Sequence, residues 1–494
     1  MPTGNLYHVL NVTAEASAEE IKAAYRHAAR RFHPDLNTDP TALEELKLVA
    51  DAYAILSDPI QRQAYNGALA KMGGGPLLTL QMSFSHPALR YLDEPQILYA
   101  LVTLQPSITS QKLPAPPVNL CLVVDRSTSM QGERLDRVKA AAQAIIDALR
   151  ENDAFCVVSF SDRAEVVIPL LRGAPERAVA KARISTLDAG GGTEILEGLL
   201  GGLCTLQPHL SPTAVNHLLL LTDGHTYGDE DRCLLLAKLA ATDGVTISSF
   251  GIGEEWNDKF LDELTSLTGG TTMYINSSEQ VKAFIQERVK GLGAAYAERA
   301  TMRILPDHDV KLLSAFRVSP EPGPIPVDAG PLVLGSLPRE TGLSVLLKFL
   351  VPPLPTTAAN PQPVARLNVI ADIVSLGRRG ERATADIILP AQAEPITAPP
   401  PPDLLKALSK LSQYSLQERA SQAVAEGNFA EATQCLSTLG TRLLAAGQTK
   451  LAKVALAEAR RLEKTQILSE EGKKNLKYGT RALLMTTPVQ GPQA

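Results

Sequence analysis

Between residues 118 and 292 the chain repeats one pattern, a short unbroken apolar run followed by an amphipathic stretch. The runs lie at 118–124, 154–160, 218–222, 245–252 and 273–275, and a helical pattern from about 134 to 149 follows the first. A strand that is apolar at every position, rather than at alternate ones, is buried on both faces, which requires helices on each side of a largely parallel sheet. The pattern predicts a doubly wound, Rossmann-like α/β domain over 118–292. Loops at the carboxyl ends of such strands converge on one crevice, and ligands are expected there.

The same reading divides the rest of the chain. With 494 residues and about 150 residues per domain, several cores are expected. Residues 1–70 are helical in pattern, and the glycine and proline cluster at 71–76 reads as a flexible linker. From 77 to 104 the period falls to two, as in Leu78, Leu80 and Met82, or Ile97, Tyr99 and Leu101, and a proline-bearing link at 113–117 closes the stretch. Strand patterning resumes after Tyr296 and runs to about 389. Neither β segment alone is long enough for a sandwich, so 77–113 and 297–395 are expected to fold together as a discontinuous β-sandwich around the inserted α/β domain. A second proline run at 398–402 leads into an α-helical C-terminal domain over 403–485, whose glycine turns at Gly427 and Gly447 stand twenty residues apart, the spacing of stacked helical hairpins.

Charge and cysteine usage narrow the class. The net charge of −5 exerts no long-range pull on nucleic acid. The C-terminal helices carry 13 basic against 8 acidic side chains, an excess that includes Lys473, Lys474 and Lys477 and reads as a solvated helical face. No apolar stretch reaches the roughly 18 residues of a membrane span, and residues 1–10 lack an export signal, so no membrane partner and a cytoplasmic location are expected. The five cysteines, Cys121, Cys156, Cys204, Cys233 and Cys435, are scattered and read as small buried hydrophobes rather than as disulfide or metal pairs.

The amino-terminal residues are patterned as an antiparallel helical hairpin with an acid-bearing loop at its tip. Residues 18–32 place Ile21, Ala24, Tyr25, Ala28 and Phe32 on one face and Lys22, Arg26 and Arg30 on another, with Ser17 and Glu20 as a capping box. Pro34 ends the helix, and a second helix over about 42–56 pairs with the first through Leu46, Val49, Tyr53 and Leu56. A short third helix follows Ser57, Asp58 and Pro59 and ends near Tyr65. The opening Asn5 to Leu10, the helix around Ile21 to Arg26, the loop His33, Pro34, Asp35 and the stretch Ala52 to Pro59 with Arg62 and Tyr65 resemble the J-domain of DnaJ-type co-chaperones over about 1–70. The resemblance implies docking on a DnaK-type chaperone, and stimulation of its ATPase, through Lys22, Arg26, His33, Pro34 and Asp35. His27 and Leu36 stand where that family commonly has basic side chains, and the glycine/phenylalanine-rich linker and zinc-binding CxxCxGxG repeats that follow in that family are absent.

A second device sits in the α/β domain. Asp125, Ser127 and Ser129 end the first buried strand, Thr193 follows three glycines before a helix, and Asp223 ends the strand at 218–222. Two carboxylates and three hydroxyls make a hard, all-oxygen set suited to Mg²⁺ or Mn²⁺. Two carboxylates only balance a divalent cation, so an acidic side chain from another protein is a fitting further ligand. The five residues resemble the metal-ion-dependent adhesion site of von Willebrand factor A domains, with DxSxS on one loop, threonine on a second and aspartate on a third. The flanking β segments and helical tail also resemble bacterial proteins with an A domain embedded in a β-sandwich.

No enzyme signature accompanies these devices: there is no GxxxxGK[ST], no GxSxG and no HExxH, and Gly251 and Gly253 lack a third glycine. His225, two residues after Asp223, is an incidental loop histidine. The expectation is a non-catalytic adaptor that holds an acidic protein partner at the metal site and recruits a DnaK-type chaperone. The alternative is a regulatory subunit of an AAA+ ATPase remodelling complex.

Overall fold

The computed structural model describes residues 5–33, 40–71, 76–107, 113–172, 174–223, 226, 228–252, 256–275, 291, 293–307, 309–327, 330–358 and 360–485. Helices α1 (Leu6–Val9), α2 (Ala18–Arg31), α3 (Pro40–Leu56) and α4 (Pro59–Lys71) open the chain. Both arms of the capping box are made at α2: Ser17 Oγ accepts from the Glu20 amide at 3.2 Å, and Glu20 Oε2 accepts from the Ser17 amide at 2.7 Å. Ile21, Ala28, Phe32, Val49 and Leu56 form the core between α2 and α3, where Tyr25 stacks on Tyr53 at 4.2 Å. Helix α4 runs past the expected end at Tyr65 to Lys71. Ala68, Leu69 and Ala70 propagate a helix well, and Tyr65 and Asn66 tie it to α1 by accepting from the Leu6 amide at 2.9 Å and from the Tyr7 hydroxyl at 2.7 Å.

Strands β1 (Leu78–Phe84), β2 (Leu89–Arg90) and β3 (Gln96–Pro106) precede the α/β domain. That domain comprises β4 (Val118–Asp125), α5 (Glu133–Ala148), β5 (Ala154–Phe160), β6 (Ala164–Arg172), α6 (Ala174–Ser185), α7 (Ile195–Leu206), β7 (Val215–Thr222), α8 (Glu230–Asp243), β8 (Val245–Ile252), α9 (Asp258–Ser266) and β9 (Thr272–Ile275). Its sheet order is β6-β5-β4-β7-β8-β9. Every residue of β4, β5, β7 and β8 is buried, as continuous apolar runs require. Alternate residues of β4 face opposite layers: Leu120, Leu122 and Val124 pack toward α5 and α6, whereas Cys121 and Val123 pack toward α7, α8 and α9. The sheet is parallel except at one edge, where β6 runs antiparallel to β5. Strand β6 has one fully buried residue, Ile168, so it lacks the unbroken apolar run of the inner strands.

The chain continues through β10 (Ala295–Pro306), β11 (Lys311–Ser319), β12 (Gly323–Ile325), β13 (Leu332–Pro338), β14 (Leu343–Val351), β15 (Gln362–Ile373), β16 (Arg378–Leu389) and β17 (Ala391–Gln392). One sheet has the order β1-β3-β14-β11-β12 and the other β13-β10-β15-β16. Their inward side chains, among them Leu98, Val102, Tyr296, Leu347, Leu367 and Ile387, share a single core. Strand β3, before the insertion, pairs with β14, after it, from Leu104↔Leu343 to Gln96↔Val351. The α/β domain therefore emerges from within a sandwich that both flanking segments build.

Helices α10 (Pro402–Ala425), α11 (Phe429–Ala445), α12 (Thr449–Thr465) and α13 (Glu470–Met485) follow. Leu404, Ala407 and Tyr414 of α10 pack on Leu101, Phe316 and Leu346 of the sandwich. Helix α13 reaches the α/β domain, and there the expected solvated face is corrected. Lys474 is 2% exposed and donates to the Trp256 carbonyl at 3.2 Å, while Lys477 pairs with Asp258 and, at 3.0 Å, with Asp262. Tyr478 stacks on Trp256 at 5.2 Å. Acidic partners on α9 turn these cations into docking groups. Of the cysteines, Cys121, Cys156, Cys233 and Cys435 are buried as expected, but Cys204 is exposed on the outer face of α7.

The helical domain at the amino terminus is mounted on the sandwich by a buried charge network. Asp386 of β16 accepts from Arg366 Nε and Nη2, both at 2.9 Å, and from Arg31 Nη1 of α2 at 2.8 Å. Arg31 Nε also pairs with Asp307 at 2.7 Å, and Phe32 lies under the Arg31 and Arg366 guanidiniums at 5.6 and 5.0 Å.

Candidate functional site

At the carboxyl end of the inner strands three loops meet. Asp125 is the last residue of β4 and fully buried. Its Oδ1 accepts from the Ser127 amide at 2.9 Å and its Oδ2 from the Thr222 hydroxyl at 2.6 Å, so both oxygens are oriented before any ligand arrives. Ser127 Oγ and Ser129 Oγ lie 2.9 Å apart across a short 3₁₀ turn, Ser127 buried and Ser129 exposed.

The second loop is bound to the first through its backbone. The Gly190 amide donates to the Arg126 carbonyl at 2.8 Å, and the Gly191 carbonyl accepts from both the amide and the hydroxyl of Thr128, at 3.1 and 2.8 Å. Gly191 has φ +86°, and a Cβ there would stand 2.5 Å from the Asp162 carboxylate, so this approach requires glycine. Thr193 follows, 5% exposed, and α7 starts two residues later. Helix α7 lies close to the sheet because Gly202 leaves room; a Cβ there would meet Val123 at 2.6 Å.

The third loop begins at Asp223, directly after β7. Its side chain is 2% exposed, and neither Oδ1 nor Oδ2 accepts a hydrogen bond among the described residues, although Arg134 Nη1 approaches Oδ2 to 3.5 Å. Burial and, more weakly, the nearby Asp223 charge push the Asp125 carboxyl up to about 6, against the hydrogen bonds from Ser127 and Thr222 that pull it down. Two buried carboxylates within electrostatic reach, one of them without hydrogen bonds and faced only by the partly exposed Arg134 guanidinium, form a site suited to a further positive charge. Gly224 and His225 lie outside the described residues.

Sequence reasoning overlooked the supports. Thr222 orients Asp125, and Asp229 accepts from the Leu196 amide at 2.9 Å and from the Thr226 hydroxyl, joining the third loop to the start of α7. The available signal was their place beside the motif, a hydroxyl immediately before Asp223 and an acid just before α8. Among the described residues no group of three or more His, Cys, Asp or Glu gathers to hold a metal, so a cation held here would have to draw on hydroxyl oxygen as well.

On the helical domain, Lys22 and Arg26 are exposed on the side of α2 away from Ile21 and Ala28, and His33, just past the end of that helix, is exposed too. Pro34 and Asp35 lie outside the described residues. The carboxyl end of the helix, at Arg31 and Phe32 and next to His33, is the part seated on the sandwich.

The sequence model of the von Willebrand factor type A domain matches residues 119–287, and that of the DnaJ domain matches 5–66. The chain joins a DnaJ domain to a von Willebrand factor type A domain. A third model, described as Sll0103-like, C-terminal alpha-helical domain, matches 402–486. Among similar proteins, "Uncharacterized protein sll0103" of Synechocystis sp. is 38% identical over 210 residues, 42% of this chain and 49% of that one. "Chaperone protein DnaJ" of Leifsonia xyli subsp. xyli is 51% identical over 70 residues, 14% of this chain and 19% of that one. The chain thus spans about half the length of the first relative and about a fifth of the second. A solved "von Willebrand factor type A from Catenulispora acidiphila" superposes with a TM-score of 0.64 at 19% identity, covering 82% of this chain and 96% of that one; the likeness concerns the fold. No described helix is long and apolar enough to cross a membrane.

Proposed function

We propose that this chain is a non-catalytic cytoplasmic adaptor, in which the A domain grips a protein partner while the J-domain brings a DnaK-type chaperone to it. In this reading Asp125, Ser127, Ser129, Thr193 and Asp223 hold Mg²⁺ or Mn²⁺, which when bound supplies a Lewis-acidic position for a carboxylate of the partner. The observation that carries the reading is the buried Asp223 carboxylate, whose oxygens accept no hydrogen bond beside a second buried acid. The chain's own residues do the preparatory work: Thr222 and the Ser127 amide fix Asp125, and the paired serine hydroxyls present neutral oxygen. The exposed Lys22 and Arg26 support the chaperone half, because that face of α2 is open to a DnaK-type partner while Arg31, at the carboxyl end of the helix, stays mounted on the sandwich.

Two measurements test the two halves. Calorimetry with Mg²⁺ is expected to show one site in the wild type and none in Asp125→Ala or Asp223→Ala; equal binding by all three overturns the metal assignment. Stimulated ATP hydrolysis by a bacterial DnaK is expected with the whole chain and not with Asp35→Asn; equal stimulation overturns the chaperone assignment. Pull-downs in Mg²⁺ with wild type and Asp125→Ala then report the gripped protein. A ring ATPase there, without a DnaK-type chaperone, favours the AAA+ regulatory reading.

A further inference from the structure

The rim of the metal site carries a cation of its own. Arg134 lies in the first turn of α5; its Nη1 donates to the Ser129 carbonyl at 3.3 Å and stands 3.5 Å from Asp223 Oδ2. The Asp223 side chain is 2% exposed and that of Arg134 36%, so the guanidinium covers the buried acid from the solvent side. A guanidinium has five N–H donors in a planar fork, and Arg134 makes no other polar contact among the described residues. A cation in the first turn of a helix also faces the positive end of the helix dipole, so its position is not explained by helix stability.

Charge counting gives the arrangement a purpose. Asp125 and Asp223 neutralise a divalent ion, and Arg134 adds one further positive charge at the rim. Even with Asp223 between metal and guanidinium, the ion, the two carboxylates and Arg134 together keep one net positive charge, which a further anion beside the guanidinium balances. We propose that Arg134 is the residue that makes this site select a carboxylate: the acid of the partner pairs with the guanidinium while it serves the ion, and neutral hydroxyl or amide ligands leave the excess charge unbalanced. The inference rests on the metal reading above. It adds that metal and acidic partner bind with positive coupling, which by linkage is the same in both directions. Without the acid, Arg134 weakens metal binding; with it, Arg134 strengthens retention of both.

The test uses the full chain loaded with Mn²⁺ and the relaxation of water protons at the ion, titrated with N-acetylglutamate or with N-acetylglutamine. In the wild type the glutamate derivative is expected to displace metal-bound water and tighten Mn²⁺ retention, and the glutamine derivative to do neither. Arg134→Gln is expected to bind Mn²⁺ more tightly in the absence of acid and to need about tenfold more N-acetylglutamate, the scale of one charge-assisted hydrogen bond. Arg134→Lys keeps the charge without the fork and is expected to fall between them. Wild type and Arg134→Gln with equal glutamate midpoints, both loaded with Mn²⁺, overturn this proposal alone. No Mn²⁺ bound by the wild type overturns the metal reading and this proposal with it.

Discussion

Replacing Asp386 with alanine strikes the junction between the J-domain and the sandwich. The carboxylate receives two hydrogen bonds at 2.9 Å from Arg366, one at 2.8 Å from Arg31 and one at 3.1 Å from Asn11. Its own side chain is 5% exposed and that of Arg366 3%. Arg31 keeps Asp307 in the variant, but Arg366 loses its two-pronged partner and retains only the Val9 carbonyl at 3.4 Å and the charge of the nearby buried Glu45, a defect worth up to about 3–5 kcal/mol. Junctions of this kind open as local units, so the loss appears as faster amide exchange in peptides from α2, β15 and β16, by roughly two to four decades when opening is limited by its equilibrium. The double variant Asp386→Ala, Arg366→Met removes the stranded charge and is expected to recover most of the protection. Acid acts through the same group. Burial raises the Asp386 pKa, but hydrogen bonds and charge from Arg366 and Arg31 outweigh it and hold the carboxyl below the usual range. A depressed folded pKa gives stability that is present above the ordinary aspartate value, about 3.9, and lost as pH falls through the folded value, so the junction is expected to hold to about pH 4. Exchange in α2 within threefold of wild type in Asp386→Ala would refute the view that this network mounts the J-domain.

Two further substitutions probe the other contacts. Lys477→Ala removes the partner of Asp258 and Asp262 and is expected to loosen α13 by about 1–3 kcal/mol, read as increased amide exchange in α13 and a shift in the fluorescence of Trp256. Asp258 is half-buried, which raises its pKa, yet Lys477 outweighs that and holds its carboxyl below the usual range, so this contribution too is expected to persist from neutral pH down to about 4 and fade below it. Thr222→Val removes the 2.6 Å hydrogen bond to Asp125 without touching a proposed ligand and is expected to weaken Mg²⁺ binding by about tenfold in calorimetry, with the fold intact by circular dichroism.

The sequence by itself determined the elements. Unbroken apolar runs demanded strands covered on both faces, and β4, β5, β7 and β8 are fully buried accordingly. The capping box at Ser17 and Glu20 and the stop before Pro34 are local rules acting over a few residues, which is why the start of α2 was legible without its neighbours. The DxSxS motif was legible for the same reason, since three of the five proposed ligands lie within five residues.

Tertiary structure decided which surfaces meet, and with them the role of each charge. Lys474 and Lys477 have the same helical spacing whether they face water or Asp258 and Asp262, and Arg31 reads as one more base of a basic helix until Asp386, 355 positions away, is brought to it. The antiparallel edge strand β6 escaped notice because a strand with one open face lacks the unbroken apolar signal of its neighbours. Periodicity reports how much of an element is covered, whereas the identity of the covering surface depends on contacts between segments far apart in the chain, and only the folded structure sets those.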